Sequence, residues 1–460
     1  MQFSKIAFAV AAVCAANVAT AAPNASRIAL SAGASAVQNN VRLAVESLCK
    51  SPNVATSFVS GNFTTVVCAD VLLAGTALTS GTSATYAGKP DADFKNFDGL
   101  PFAEIRFNVS NGSFGSVQIL NSPLPASPFY NPAVSPANPV FGFRNPGTGA
   151  NTDTTPGGVI IGGISDVETN RFPQTTIGDN TLYPNGKLGA AQVFGVAVST
   201  TLYTSMFNAQ QAAGLIPAAP TCTVAMTGTS YCIPSISKAQ MATIMSSNDT
   251  NAAYSNGLAF LTGTASTCSG LTPHPDCGTE LRYVRRVNTS GTQAAAQNYF
   301  LGLPCSANSL SIVDEPTSDD EAGGLKDALI GAIRVYAAGG TSDVRNELNK
   351  AGVNALGVVS AENDGTGQNW RWLRVDGAPT GENAVPGTAG NTNSNWQKNG
   401  FSSFYYEATY TGGNATNDGY WATIATAFGG LAAPVGLVNQ ATLDLGYTKG
   451  GLTCLGSSSN

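Results

Sequence analysis

Short strand-like runs alternate with helix-like periodicity along this chain, and that alternation constrains its fold more than any other feature. Arg27 to Leu30 predicts a strand, after which the apolar residues between Val37 and Leu48 recur at helical spacing. Gly158 to Ile164 is a β-branched apolar run of the kind that parallel sheets bury. Leu281 to Val287 predicts a further strand, which leads into a helical pattern from Ala294 to Phe300. The alternation predicts an α/β layered architecture.

The pattern continues towards the C-terminus with two predicted helices and a strand. Apolar residues from Leu325 to Tyr336 recur at helical spacing, and the glycine pair at 339–340 is typical of a helix end. Thr341 or Ser342 is expected to cap the second helix, since both residue types are common at helix N-termini. Ala355 to Ser360 then predicts the next buried strand.

The length of the chain indicates two lobes rather than one core, and its composition indicates long loops. About 440 residues remain once a signal peptide is removed, which exceeds a single core and predicts lobes of roughly 150–250 residues each. Asn121 to Pro156 and Gly377 to Asn395 are dense in Pro, Asn and Gly and show no sustained period. We interpret both stretches as elaborated surface loops.

The N-terminus has the pattern of a secretory signal peptide, predicted over residues 1–21. Lys5 precedes an apolar run from Ile6 to Ala16, and Ala19-Thr20-Ala21 is a small-residue cleavage site. A lipoprotein signal is disfavoured because Val13, which precedes Cys14, is too large for that position. Since no other segment is apolar for long enough to span a bilayer, the mature chain is expected to be soluble and periplasmic or secreted.

The charge content argues against several functional classes. Charged residues make up only 11% of the chain while 43% is hydrophobic, the opposite of the balance that disorder needs. The formal net charge is −6, and basic residues form no cluster. Nucleic acid and anionic membranes are therefore poor candidate partners.

The cysteines predict disulfide bonds rather than a metal site. Removal of the signal peptide with Cys14 leaves an even number of cysteines in an exported chain. No CxxC pair occurs and His274 is the only histidine, so zinc binding is disfavoured and no metal or other cofactor is expected. Proximity in sequence favours three pairs and leaves a long-range fourth, although eight cysteines permit about 105 pairings. The candidate pairs are Cys49–Cys68, Cys222–Cys232, Cys268–Cys277 and Cys305–Cys454.

Two hydroxyl-rich turns connect predicted strands to predicted helices. They are Ser31 to Ser35 and Thr289 to Thr292. Free backbone N–H groups and the positive end of the helix dipole make such turns anion sites, and glycine lets an oxyanion approach closely. Each turn alone is more typical of a helix cap, with Ser35 as the expected cap of the first helix. Arg286, four residues before Ser290, offers a planar fork to an oxyanion, although a surface ion pair is the alternative.

The segment Arg286-Val-Asn-Thr-Ser290-Gly291-Thr292 resembles the arginine-x-x-x-Ser-Gly-Thr motif of the periplasmic phosphate-binding proteins of ABC transporters. That family has a type 2 periplasmic-binding fold with a cleft between two lobes. Further short segments are similar to the same family in the expected order. They are Ser31 to Ala36, Asn111 to Ser116, Gly163 to Asp166, Ala355 to Ser360, Trp372 to Gly377 and Phe404 to Glu407.

The resemblance implies a division of the chain and a role for each matched residue. Residues 22–190 with 370–460 would form a discontinuous lobe, and residues 191–369 the other lobe. Asp166 would accept the proton of monohydrogen phosphate and so disfavour sulfate, because a carboxylate facing an acceptor-only anion is costly. A helix cap is the alternative role of Asp166. The implied phosphate ligands are Ala34, Ser35, Ser113, Asp166, Arg286, Ser290, Gly291 and Thr292.

Departures from the family leave other readings open. The long segment Asn121 to Pro156 makes the match of Ser113 uncertain, so Ser110 or Ser116 are alternatives. The expected function is a solute receptor for phosphate or a related oxyanion, not an enzyme, with an ABC permease as a possible transport partner. A secreted surface or matrix protein that reuses the fold is the alternative from another class. A secreted hydrolase is disfavoured, since no G-x-S-x-G elbow is present.

Overall fold

A computed structural model describes most of the chain after the predicted signal peptide. The signal peptide, Asp166, Cys305, Cys454 and the stretch Asn121 to Pro156 lie outside the described residues, so the expectations for them stay predictions. The described residues are 27–60, 63–70, 91–109, 112–116, 159–165, 185–186, 190–246, 252–263, 268, 274–302, 312–321, 324–360, 363, 365–377, 405–406, 408–410, 415–430 and 437–439.

Strands and helices alternate along the described chain. The strands are β1 Ile28–Gly33, β2 Val54–Ser60, β3 Phe63–Ala69, β4 Glu104–Asn108, β5 Val159–Ser165, β6 Asn185–Gly186, β7 Ala190–Ser199, β8 Ser235–Ile236, β9 Leu281–Arg286, β10 Lys326–Ile330, β11 Ile333–Ala338, β12 Ala355–Ser360, β13 Trp370–Trp372, β14 Arg374–Val375, β15 Tyr405–Tyr406, β16 Ala408–Tyr410 and β17 Leu437–Asn439. The helices are α1 Gln38–Ser47, α2 Thr200–Ala212, α3 Lys238–Met245, α4 Ala252–Asn256, α5 Ala259–Thr262, α6 Gly291–Ala296, α7 Thr341–Leu348 and α8 Ala415–Gly429.

Two mixed sheets organise these elements, which confirms the α/β class. In the first sheet the strand order is β2-β3-β4-β1-β5-β16-β6, with β1 parallel to both β4 and β5. In the second sheet the order is β10-β11-β9-β12-β7-β13, with β9 parallel to both β11 and β12. Strands β15 and β17 also pair with β7, and β8 forms a small parallel pair with β14. Parallel pairing places the carboxyl ends of neighbouring strands at one edge of each sheet.

Each sheet buries its own apolar core. Beside the first sheet, Val41 and Val45 of α1 pack with Ile424 and Phe428 of α8. The core of the second sheet contains side chains of α2, α3 and α6 together with residues of β7, β9, β11 and β12. Ala36, which precedes α1, is buried in this second core. The segment that follows β1 therefore contacts both cores.

The helix predicted over Leu325 to Tyr336 is wrong, because these residues form the antiparallel hairpin β10–β11. Its turn contains Gly331 at φ 57, where a Cβ would lie 2.4 Å from the carbonyl oxygen of Tyr254. Leu329, which belonged to the predicted apolar helix face, is 50% exposed. The buried residues Ile333 and Val335 instead follow the two-residue period of a strand.

Two predicted helix caps are also wrong. Ser35 opens a 3-10 turn, Ser35–Val37, and no side-chain cap hydrogen bond is made there. Helix α7 is capped by Gly340, whose N–H donates to Oδ2 of Asp343 at 2.9 Å, rather than by Thr341 or Ser342. Glycine has no side chain that could accept from the helix N–H groups, so the carboxylate three residues later satisfies the N–H of the cap residue itself and places a negative charge in the first turn.

Several other local expectations agree with the structure, while the loop predicted over Gly377 to Asn395 lies outside the described residues from residue 378 onwards. The strands predicted at 27–30, 158–164, 281–287 and 355–360 correspond to β1, β5, β9 and β12. Three of the proposed disulfides, Cys49–Cys68, Cys222–Cys232 and Cys268–Cys277, are present. Within the described part of the chain, no helix is long and apolar enough to cross a membrane.

Candidate anion site

The predicted ligands that the structure describes lie at or just beyond the carboxyl ends of parallel strands. Ala34 and Ser35 follow β1, Ser113 follows β4, and Arg286 ends β9. The last residue of β5, Ser165, is buried and immediately precedes Asp166. In α/β sheets, ligands bind in the crevice outside these strand ends because helix N-termini gather there.

Arg286 is buried, with 2% of its surface exposed, so it is not a surface arginine. Its guanidinium bridges segments that are remote in sequence. Nε donates to the carbonyl of Ala338 at 3.2 Å and Nη1 to Oγ1 of Thr341 at 3.2 Å. Nη2 donates to the carbonyl of Gly339 at 2.9 Å and to Oγ of Ser35 at 3.2 Å. These contacts fix the planar fork at the end of β9 and join it to the residue that follows β1.

The turn after β1 is held closely against β5. Gly33 has φ 148, and a Cβ there would lie 1.8 Å from the carbonyl oxygen of Ile164, so only glycine fits. The next residue, Ala34, donates its N–H to that same carbonyl at 2.9 Å. The Ala34 N–H is therefore engaged within the sheet, while Ser35 contacts Arg286.

The turn after β4 brings Ser113 to the same region. Ser113 lies fully buried in the 3-10 turn Gly112–Phe114, and its carbonyl accepts a hydrogen bond from Oγ of Ser116 at 2.6 Å. A Cβ on Gly163 would lie 2.5 Å from Cβ of Ser116, so this turn rests directly on β5. Ser110, the other alternative to Ser113, lies outside the described residues.

The Ser-Gly-Thr segment forms the N-terminus of α6. Oγ of Ser290 accepts from the N–H of Gln293 at 3.4 Å, so Ser290 is the N-cap. Gly291 and Thr292 are the first two helical residues, and both are buried. The helical path continues through the π-helical turn Gln297–Leu301, so the N-terminus belongs to a run longer than α6 itself. Its partial positive charge faces the end of β9.

Gln293 and Thr341 belong to this region but are not among the predicted ligands. Oε1 of Gln293 accepts from the backbone N–H of Arg286 at 3.0 Å, and Thr341 accepts from the guanidinium. The sequence feature that identifies Thr341 is the Gly339-Gly340-Thr341 turn, which connects a strand to a helix. Because a helix was predicted over Leu325 to Tyr336, the glycine pair was interpreted as the end of that helix instead.

Arg285 points away from Arg286, as alternation along a strand requires. Its guanidinium donates to the carbonyl of Val313 and to Oδ1 of Asn288. Burial lowers the pKa of Arg285, although the phenol of Tyr283 and the carboxyl of Glu315 oppose that effect. Glu315 in turn accepts from the N–H of Asn288 at 2.6 Å. The guanidinium of Arg285 and the carboxylate of Glu315 both bind Asn288, and so hold in place the turn that contains Thr289 and Ser290.

No protein-family model matches this chain, and no curated protein matches it either. No group of potential metal ligands is assembled among the residues that the structure describes. The resemblance to the phosphate-binding family therefore rests on the short sequence motifs alone.

Proposed function

We propose that this exported protein binds phosphate or a similar oxyanion in a cleft between two lobes and performs no covalent chemistry on it. The observation that carries the proposal is the hydrogen bond from Arg286 to Ser35. It joins the predicted arginine ligand to one predicted turn, while the other turn caps α6 next to it. Residues identified from the sequence alone thus lie together at the carboxyl ends of strands, which supports the proposal.

The chemistry of these groups suits an oxyanion. A buried guanidinium makes charge-assisted hydrogen bonds that are stronger than neutral ones, and its positive charge attracts an oxyanion. The N-terminus of α6 adds backbone N–H donors, while Ser35, Ser113 and Thr292 add hydroxyls. Asp166, directly after β5, would accept a proton from monohydrogen phosphate and so favour it over sulfate.

The proposed lobes would coincide with the two sheets only in part. Strands β1 to β6 and β16 would belong to the lobe of residues 22–190 and 370–460, and the second sheet to residues 191–369. Strands β13, β15 and β17 pair with β7, so chain after residue 370 also contributes to the second sheet. Closure of the lobes around a hinge would bury the anion. Transport through an ABC permease is part of the proposal by resemblance.

Titration calorimetry of the mature chain with inorganic phosphate and with sulfate tests the proposal. We expect saturable one-to-one binding of phosphate and much weaker binding of sulfate. Absence of binding to either anion would refute the oxyanion site. Equal affinities would refute the phosphate-specific version and leave a general oxyanion receptor.

A secreted surface or matrix protein without a transport partner remains the second candidate. The observation that favours it is an apolar surface around the Cys222–Cys232 disulfide, where Leu215 is 70% and Tyr231 52% exposed. An exposed apolar surface of this kind is common where proteins contact one another. Multi-angle light scattering of protein recovered from culture medium separates the candidates: a stable multimer without phosphate affinity would favour the second.

A further inference from the structure

We propose that the turn Gly112–Phe114 is a latch that holds the oxyanion site closed and limits ligand release. The latch consists of Gly112 and Phe114 on one side and Thr289 and Ser290 on the other. This inference rests on the proposed function, because the latch would control how fast the proposed oxyanion ligand exchanges. Gly112 and Phe114 flank Ser113, and Ser290 is itself the N-cap of α6.

The first component is a close backbone approach at a residue whose φ and surroundings favour glycine. Gly112 has φ 55, and a Cβ there would lie 3.0 Å from the carbonyl oxygen of Thr289 and 3.1 Å from Cα of Ser290. Few real Cβ atoms approach backbone this closely, and an L side chain at this φ is strained in any case. The missing side chain therefore lets the turn after β4 touch the turn after β9.

The second component is a hydrogen bond between the same two turns. The N–H of Phe114 donates to the carbonyl of Thr289 at 3.1 Å. The Phe114 side chain also packs against the apolar core of the second sheet. One polar and one apolar contact thus attach the turn of the first sheet to the second sheet.

Both sides of the latch are anchored to their own sheets. Gly112 donates its N–H to the carbonyl of Val109 at 3.0 Å, next to the end of β4. On the other side, Ser290 donates its N–H to the carbonyl of Val287 at 3.0 Å. Since each turn is tied to its sheet, separation of the sheets at this edge must break the contacts between the turns.

The latch has a kinetic consequence. A ligand held between Ser113, Arg286 and the N-terminus of α6 leaves only after the two turns separate. Because the net contribution of a single hydrogen bond is modest, the latch is strong enough to slow release but weak enough to open. Its contacts use backbone atoms and one apolar side chain, so they do not alter the chemistry that selects the ligand.

Comparison of Gly112→Ala with Gly214→Ala in the mature chain tests the latch. Gly214 also has a positive φ, 74, but no atom lies within 4 Å of its missing Cβ, so it reproduces the backbone strain without the collision. Release of radiolabelled inorganic phosphate into excess unlabelled phosphate is timed. We expect Gly112→Ala to release phosphate about 3- to 10-fold faster than the wild type. Gly214→Ala should match the wild type, and equal rates in all three proteins would overturn the latch.

Phe114→Ala provides a second variant if Gly112→Ala does not fold. This substitution removes the apolar contact without adding an atom, and we expect it also to release phosphate faster than the wild type. Unchanged release from folded Phe114→Ala would contradict the latch in the same way.

Hydrogen–deuterium exchange separates failure of the latch from failure of the proposed function. The latch requires slow exchange of the Phe114 amide in the wild type and faster exchange in Gly112→Ala, with or without a bound anion. If the wild type binds no phosphate, the proposed function fails and amide exchange alone decides the latch. If it binds phosphate but this amide exchanges as fast as an open loop, only the latch is overturned.

Discussion

Nη2 of Arg286 lies 3.2 Å from Oγ of Ser35, a residue 251 positions earlier in the chain. Arg286 ends β9 of the second sheet, and Ser35 follows β1 of the first. The same guanidinium reaches the carbonyl of Gly339 and the hydroxyl of Thr341. One buried side chain therefore connects the carboxyl ends of three strands, β9, β11 and β1, and these contacts fix the orientation of its guanidinium.

Substitution of Arg286 should abolish tight phosphate binding. We expect Arg286→Ala to lose about 2–5 kcal/mol of binding free energy, since removal of a desolvated charge partner leaves the anion unpaired. That loss raises the dissociation constant at least about 30-fold. Titration calorimetry with inorganic phosphate measures it. Arg286→Lys keeps the charge but not the fork, so an intermediate affinity is expected.

Arg371→Ala is the matched control for this experiment. Arg371 also donates to backbone carbonyls, those of Gly365, Gln368 and Trp370, but it belongs to β13. Thermal unfolding of each variant shows whether it is folded. Wild-type affinity in a folded Arg286→Ala protein would contradict the proposed site.

Substitution of Asp166 should reduce selectivity more than affinity for anions in general. In Asp166→Asn the amide no longer requires a protonated ligand, so the ratio of phosphate to sulfate affinity should fall towards one. Calorimetry with both anions at pH 7 gives the ratio. Asp70→Asn, a change at a half-exposed aspartate that pairs with Lys95, should leave the ratio unchanged. A ratio that Asp166→Asn does not alter would mean that this residue serves only as a helix cap.

Central strands were predictable from sequence, whereas the hairpin was not. Strands β1 and β12 are buried along their whole length, and such strands produce continuous apolar runs. The hairpin β10–β11 mixes buried and exposed residues, and its apolar residues also fit a helical period. The pairing of β11 with β9 favours a strand over a helix here, and this pairing joins residues that are distant in the sequence.

The candidate site was predictable in part for a similar reason. Arg286 and Ser290 lie within one short motif, so a single local resemblance identified both. Thr341 and Gln293 acquire their place only through hydrogen bonds to Arg286 in the folded chain. Ser35 was selected as a helix cap and ligand, yet the contact that distinguishes it is its hydrogen bond with Arg286.

Removal of the Cys49–Cys68 disulfide should destabilise the first sheet. This bond connects the segment after α1 to β3, and its loop length predicts a loss of about 3 kcal/mol in the free energy of unfolding. Urea unfolding of Cys49→Ser/Cys68→Ser against the wild type measures the loss. A difference below about 1 kcal/mol would mean that the loop gains little freedom in the unfolded chain.

Thiol labelling of the unreduced, denatured mature protein tests the fourth pair. Three disulfides are present in the structure, and Cys305–Cys454 is predicted from sequence. We expect no labelled cysteine if that pair forms. Two labels, at Cys305 and Cys454, would contradict the pairing and leave the other three bonds intact.

Opposite the candidate site, the amino-terminal ends of β9 and β11 carry an ionic network. Arg282 pairs with Glu280, Glu321 and Glu347, at 2.9, 3.0 and 2.8 Å. Burial alone would lower the pKa of Arg282, but the hydrogen bond to Glu347 and the nearby anionic groups raise it. Arg334 pairs with Glu280 at 2.9 Å and with Asp327 at 2.7 Å. These charges stabilise the sheet edge away from the candidate site.

Asp327 makes this network sensitive to acid. It is fully buried, and its carboxylate accepts from the N–H groups of Asp320 and Glu321 at 2.8 and 2.9 Å as well as from Arg334. Burial alone would raise the pKa of Asp327, but these hydrogen bonds lower it below its usual value. A carboxyl group whose pKa is lower in the folded than in the unfolded protein contributes stability. That contribution is fully present at pH values above the pKa of the unfolded state, which is about 3.9 for an aspartate. That stabilisation is lost as the pH falls through the folded pKa.

Asp327→Asn should therefore lower stability at neutral pH and flatten its dependence on acid. We expect a loss of about 1.5–3 kcal/mol at pH 7, because Arg334 loses one charged partner and keeps Glu280, and a smaller difference from the wild type below about pH 4. Urea unfolding between pH 3 and pH 8 measures both effects. Asp98→Asn is the control, since Asp98 forms an exposed pair with Lys50 that should contribute less than about 1 kcal/mol. A wild-type acid profile in Asp327→Asn would show that Asp327 does not link folding to pH.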